Sequence, residues 1–299
     1  MKIKTSDLKI VLFLSGQRGV EVLKKLTSEK YNIIKIIVGS NIDFQLFYSN
    51  KEIDADIIFE KNVNDNIFVQ NISHLNVDYF VMSGFKQILK KEILSIPKKG
   101  TLNLHAGKLP EYRGGSPLNW QIINGEKYAY ISTILTDEGI DTGNVLSEEK
   151  IEILDTDDIR SLHEKANKIF PSLLIDALLM IESGNYGTKQ KEENASYWHQ
   201  RNDDDGFVEF RNSSSDQINR TVKALTFPYP CAWGLIKNEK VRIIKAEVSK
   251  IHLKGSPGKI VFINSEGPYV ICKEGSMKLL EYKFENDEER KIIKNDRFL

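Results

Sequence analysis

An Asn, a His and an Asp stand within one stretch of the chain: Asn103-Leu104-His105 and, 36 residues after His105, Asp141. One residue separates Asn103 from His105, so on an extended strand both side chains point to the same side. An imidazole exchanges a proton near neutral pH, and a neighbouring carboxamide donates to a developing oxyanion. Asp141 lies in the turn-prone run Asp137-Glu138-Gly139-Ile140-Asp141-Thr142-Gly143, where it can orient or charge the imidazole. This set suits acyl transfer to an amine. Taken alone, the same His and Asp could simply satisfy loop hydrogen bonds. A metal site is not expected: His74, His163, His199 and His252 are scattered, without the close ligand pairs that zinc requires.

Further candidates surround these three. Leu109 to Pro117 (LPEYRGGSP) is a loop rich in Gly and Pro. Arg113 in it reads either as a bidentate clamp for a phosphate or carboxylate or as a brace of the loop. Trp120 either packs beneath the loop or stacks on a ligand, packing being the simpler reading. Gly16-Gln17-Arg18-Gly19 follows an apolar run and opens a helical one, where free amides favour an anion. It is not a full G-x-G-x-x-G. It therefore reads as a substrate-phosphate contact or a plain tight turn, not as a dinucleotide site. The Asp203-Asp204-Asp205 run reads as a solvated turn.

The elements that must position these residues follow from hydrophobic periodicity. Continuous apolar runs at residues 8–15, 32–39, 77–83 and 101–105 read as buried strands, with a shorter one at 55–59. Helical patterns at 20–28, 64–74 and around 90–94 divide them. That alternation predicts a doubly wound, mostly parallel α/β sheet with helices on both faces. Ligands in such sheets bind at the carboxyl ends of the strands, where Asn103, His105 and the Gly16 turn would lie. Residues 131–135 and 143–153 read as further strands, and 156–182 as a long amphipathic helix that Pro171 could kink. Beyond residue 200, short apolar runs at 241–248, 258–263, 269–272 and 277–282, with Gly and Pro at the turns, predict a small all-β domain. The predicted division is a catalytic domain over 1–200 and a β domain over 201–299.

Composition narrows the class. Lys and Arg number 42, as do Asp and Glu, so a dedicated nucleic-acid binder is disfavoured. Two cysteines far apart, Cys231 and Cys272, indicate a reducing compartment without a disulfide framework. No segment has the ~20 apolar residues of a membrane span, and the first residues lack the apolar core of a signal peptide. A cytoplasmic protein without a membrane partner is expected, with a homodimer left open.

Asn-x-His, then LP-x-YRGG-x-P with a following Trp, then D-x-G-x-DTG together resemble the folate-dependent formyltransferases. That family includes glycinamide ribonucleotide transformylase, methionyl-tRNA formyltransferase and the sugar N-formyltransferases. The resemblance continues from Trp198 to Trp233, through Asp205-Gly206-Phe207 and Phe227-Pro228-Tyr229-Pro230-Cys231-Ala232, which are similar to the family's linker and the start of its OB-like C-terminal domain. It implies a Rossmann-like core followed by that OB-like domain, with N10-formyltetrahydrofolate as co-substrate and Asn103, His105 and Asp141 as catalytic residues. It implies folate binding by Phe85, Lys86, Gln87, Ile88 and Leu89 and by Asp137, Glu138, Gly139 and Ile140. Acceptor binding falls to Gly16, Gln17, Arg18, Arg113, Gly115, Ser116 and Trp120. Methionyl-tRNA formyltransferases carry a basic, Arg-rich insertion after the second strand, and Gly39 to Phe44 has no such run. From residue 201 onward, 18 Lys and Arg stand against 15 Asp and Glu, an excess of only three. The expected acceptor is therefore a nucleotide-linked amino sugar, a 4-amino-4,6-dideoxy sugar on UDP or dTDP, destined for a surface glycan, with no nucleic-acid partner. Methionyl-tRNA is the alternative. A formate-releasing hydrolase on the same three residues is a reading of another class, and formate release without an acceptor amine would separate it.

Overall fold

The computed structural model describes residues 5–48, 55–263, 266–287 and 289–299. In chain order the first elements are β1 (Lys9–Leu14), α1 (Gly16–Ser28), β2 (Asn32–Val38), α2 (Asn41–Tyr48), β3 (Asp56–Phe59), α3 (Asn66–Ser73), β4 (Tyr79–Ser83), α4 (Lys91–Leu94) and β5 (Gly100–His105). Then come β6 (Arg113–Gly114), α5 (Pro117–Ile123), β7 (Tyr128–Leu135), β8 (Asn144–Glu152), α6 (Ile159–Glu182) and β9 (Tyr197–Trp198). The last are α7 (Ser215–Leu225), β10 (Ala232–Ile236), β11 (Glu239–Val248), β12 (Ile260–Ile263), β13 (Glu266–Ile271) and β14 (Ser276–Phe284).

The larger sheet has seven strands in the order β3-β2-β1-β4-β5-β7-β8. β1 to β5 run parallel, and β7 is antiparallel to β5. The sequence dictates which strands sit centrally. β1 (KIVLFL) and β4 (YFVMS) are apolar almost throughout and buried along almost their whole length, as a strand covered on both faces must be. Val11, Phe13, Phe80 and Met82 of these strands meet Ile37 of β2 and Phe68 and Ile72 of α3 in one core. The chain winds outward from β1 to β3 and then returns to place β4 on the other side of β1. This creates a topological switch at the carboxyl ends of β1 and β4. There the Ser15 amide donates to the Ser83 carbonyl at 3.0 Å.

The smaller sheet is antiparallel, with five strands in the order β10-β11-β14-β13-β12. Its first hairpin turns on Lys237-Asn238, both at positive φ (50° and 67°), the signature of a two-residue type I′ turn. α7 packs on β11, and its start is fixed by a capping box between Ser214 and Gln217. A mostly parallel α/β sheet followed by an antiparallel all-β sheet is the architecture that the periodicity predicts.

Six elements were not foreseen: α2, α5, α7, β6, β9 and β10. α2 and α5 are short and carry no clear apolar stripe, and β6 and β9 have two residues each, whereas Ile218, Val222 and Leu225 at helical spacing and the apolar Ala232–Ile236 do mark α7 and β10. α6 is continuous through Pro171. The chain divides into two compact units. One comprises the chain up to Gly114, Tyr130–Ile151 and Glu164–Tyr197; the other comprises Gly115–Ala129, Glu152–His163 and Trp198–Leu299.

Candidate active site

Asn103 and His105 are the third-last and last residues of β5, beside the carboxyl end of β4. Asp141 lies on the connection from β7 to β8. Strand alternation sends both β5 side chains to the same carboxylate. Asn103 Nδ2 donates to Asp141 Oδ1 at 3.3 Å, and His105 Nδ1 stands 3.4 Å from Asp141 Oδ2. His105 is buried at 5% exposure, and its Nε2 lies 2.7 Å from the Tyr112 carbonyl. A carbonyl only accepts, so Nε2 carries the hydrogen and Nδ1 is the nitrogen that gains or gives a proton. Asn103 keeps a second N–H for a ligand oxygen. The three groups can thus stabilise a developing oxyanion and move a proton.

The Asp141 turn is built tightly. Asp137 Oδ1 accepts from the Gly139 amide at 3.1 Å and from Thr142 Oγ1 at 2.5 Å, which closes the run on itself. Asp141 adopts a left-handed φ of 52°, a conformation that Asp tolerates better than most side chains. A Cβ on Gly143 would overlap the Leu135 carbonyl, so only glycine lets the chain pass there. The Gly114 amide donates to Asp141 Oδ2 at 2.8 Å. Gln190 Nε2 donates to the carbonyls of Asp141 and Gly143 at 2.8 and 2.7 Å.

Arg113 is the brace, not the clamp. It is fully buried; its Nε donates to Gln190 Oε1 at 3.0 Å, Glu192 accepts from Nη1 and Nη2 at 3.0 and 2.8 Å, and the Tyr197 hydroxyl lies 2.8 Å from Nη1. Hydrogen bonding to Glu192 pushes the guanidinium pKa up and holds the Glu192 carboxyl below the usual carboxylate range. Its fork is committed to internal acceptors, which favours the brace over the phosphate clamp.

The start of α1 is likewise engaged from within the protein. The Gly16 amide donates to Asp43 Oδ1 at 2.8 Å, and the Ser15 and Ser40 hydroxyls donate to Asp43 Oδ2 at 2.8 and 2.6 Å. Asp43 is buried, so the anion at this helix N-terminus is an internal carboxylate that repels a phosphate. Gln17 pairs with Glu21, and Arg18 lies over the Phe170 ring, 4.4 Å from its centroid.

The residues expected to bind folate have mixed environments. Ile88 and Ile140 are exposed, at 63% and 49%, on the segment after β4 and on the Asp141 turn. Lys86 is exposed, Phe85 packs on Phe13 with ring centroids 5.4 Å apart, and Leu89 is buried. The Gln87 side chain is used internally: it accepts from the Val63 amide and donates to the Glu60 carbonyl, both at 3.1 Å. Glu138 pairs with Lys91 at 3.2 Å.

Gly115, Ser116 and Trp120 belong to the other compact unit. Ser116 caps α5 with a left-handed φ of 49°, and its Oγ accepts from Gln200 Nε2 at 2.9 Å. A Cβ on Gly115 would strike the Gln200 backbone. Trp120 donates to the His199 carbonyl at 3.2 Å and lies 4.9 Å from the Trp198 ring, in keeping with the packing reading. Sequence reasoning missed Gln190, Glu192, Gly114 and Asp43. Gln190 is 49 residues from Asp141 in a polar stretch without periodicity, and nothing in the sequence marks it.

Among the described residues no cluster of three or more metal-ligating side chains occurs, and no helix is long and apolar enough to cross a membrane.

Comparison with known proteins corrects the acceptor. The methionyl-tRNA formyltransferase of Thermodesulfovibrio yellowstonii is 36% identical over 74% of this chain and 70% of its own. That of Caldanaerobacter subterraneus is 30% identical over 93% of both chains. These relatives overturn the expected nucleotide-linked amino sugar, its surface-glycan role and the exclusion of a nucleic-acid partner. The absent Arg-rich run and the small basic excess were insufficient grounds for that choice. Among solved structures, the N-formyltransferase from Helicobacter canadensis in complex with folinic acid and dTDP-3-aminofucose has a TM-score of 0.68 over 91% of this chain and 98% of its own. At 18% identity it shares the fold and says nothing of the acceptor. Formyl transferase matches residues 4–178, and the formyl transferase C-terminal domain matches residues 201–295. The chain belongs to the formyl transferase family.

Proposed function

We propose that the chain moves the formyl group of N10-formyltetrahydrofolate to the amino group of methionyl-tRNA. The observation that carries the chemistry is the convergence of Asn103 and His105 on the single Asp141 carboxylate. The acceptor is supported by the methionyl-tRNA formyltransferases that are 30% to 36% identical to this chain.

The folate co-substrate supplies the formyl group. The exposed Ile88 and Ile140 suit a flat ring, and residues 85–89 and 137–140 would hold it. Attack of the neutral amine on the formyl carbon puts negative charge on the former carbonyl oxygen. Asn103 Nδ2–H stabilises that charge, and the His105 Nδ1–H does so once Nδ1 has taken the amine proton. The proton lost by the amine reaches N10 as the carbon–N10 bond breaks, and His105 Nδ1 is placed to carry it, directly or through water. Asp141 keeps the imidazole oriented. In this reading residues 1–200 form the catalytic domain and 201–299 the OB-like domain.

The test is formyl transfer from labelled N10-formyltetrahydrofolate to methionine-charged initiator tRNA. The expected products are formylmethionyl-tRNA and tetrahydrofolate in equal amounts. Formate release with no label on the tRNA would overturn the proposal.

A further inference from the structure

Asp141 is held in a conformation that its residue type adopts at a cost. A left-handed non-glycine residue carries strain, and it persists where its surroundings over-determine it. Gln190 supplies that constraint. It is buried at 7% exposure, and both its N–H bonds go to this turn, to the carbonyls of Asp141 and Gly143. The amide could point either end at the turn. Arg113 decides which, because its Nε–H donates to Gln190 Oε1 at 3.0 Å and so turns the Nε2 end toward the carbonyls. Arg113 is itself fixed by the two oxygens of Glu192. A directed chain of bonds thus runs from Glu192 through Arg113 and Gln190 to the backbone of the residue whose carboxylate faces His105.

We propose that Gln190 is a positioning residue for formyl transfer: it sets the Asp141 turn so that the carboxylate stays against His105 Nδ1 and Asn103 Nδ2. Gln190 acts through Asp141 and touches neither substrate. The inference rests on the reading of Asn103, His105 and Asp141 as the reacting set.

The test compares wild type with Gln190→Met, which keeps the chain length and removes both donors, and with Asp141→Ala as reference. A displacement of the order of 1 Å in a catalytic group costs up to roughly 100-fold. Gln190→Met is therefore expected to lower kcat about 10- to 100-fold while the KM of each substrate stays near wild type. A second readout needs no substrate. The protein has 5 histidines, so histidine-selective 15N NMR resolves the His105 ring. Its Nδ1 signal is expected to move in Gln190→Met in the same direction as in Asp141→Ala. Arg113→Lys keeps a cation beside Glu192 but loses the Nε–H on Gln190. It is expected to shift the same signal and lower kcat several-fold, and it serves if the Met variant fails to fold. Wild-type kcat and an unmoved His105 signal in a folded variant of either kind overturn the inference. Wild-type kcat in Asp141→Ala would instead sink the reading of the reacting set.

Discussion

Asp141 accepts from the Gly114 amide and from Asn103, and its second oxygen faces His105 Nδ1 at 3.4 Å. That separation exceeds a direct N–H···O bond, and such contacts commonly tighten only when substrates close the site. At the residue scale the sharpest expectation concerns Asn103, whose amide is the proposed neutral donor to the developing oxyanion. Asn103→Ala should lower kcat about 10²- to 10³-fold with little change in folate affinity, read by single-turnover formyl transfer and by folate titration. A loss under tenfold would remove Asn103 from that role. Asn103, His105 and Asp141 were legible in the sequence because strand alternation needs no tertiary information to place two β5 side chains together. Arg113 was not. The same residue in the same loop could clamp a ligand or brace the chain, and Glu192, 79 residues later, decides for the brace.

At the scale of elements, the turns after the strands do the fixing. The β7–β8 connection is closed by Asp137, passes at Gly143 where no Cβ fits, and is held from behind by Gln190. Gly143→Ala forces its methyl into the Leu135 carbonyl and against Thr136 Cα, both backbone atoms that cannot swing aside. The turn must shift, and kcat should fall roughly 100-fold while circular dichroism stays native. Unchanged kcat would mean that the turn absorbs the methyl without moving Asp141. At the β1–α1 junction the protein's own side chains engage the start of a helix. Free amides at a helix start attract anions, but the Ser40 and Asp43 side chains, at the head of α2, bring a carboxylate to that spot. Strand and helix types were readable from periodicity, whereas short α2 and α5 carry too few turns to show any.

For the whole molecule, the all-β part depends on a charge cluster that the sequence presented as a solvated acidic run. Asp203 pairs with Arg242 and with Lys240 at 2.8 Å, and Glu285 accepts from Arg242 at 2.5 Å. Hydrogen bonding from Arg242 holds the Asp203 carboxyl at about 2. A depressed carboxylate contributes stability that is present above its unfolded value of about 3.9 and is lost as pH falls through about 2. Asp203 is a third exposed, so solvent screening reduces the contribution to about 1 kcal/mol. Asp203→Asn should therefore melt below wild type at pH 7, with the difference shrinking between about pH 4 and pH 2. A constant difference across that range would assign the loss to packing instead. The sequence by itself determined the α/β-then-β architecture, the family and the candidates Asn103, His105 and Asp141, because periodicity and strand alternation are local. The tertiary structure decided which polar groups are left for a ligand. That depends on partners distant along the chain, such as Asp43 on α1, Glu192 on Arg113 and Gln190 on Asp141, whose pairing no local pattern encodes.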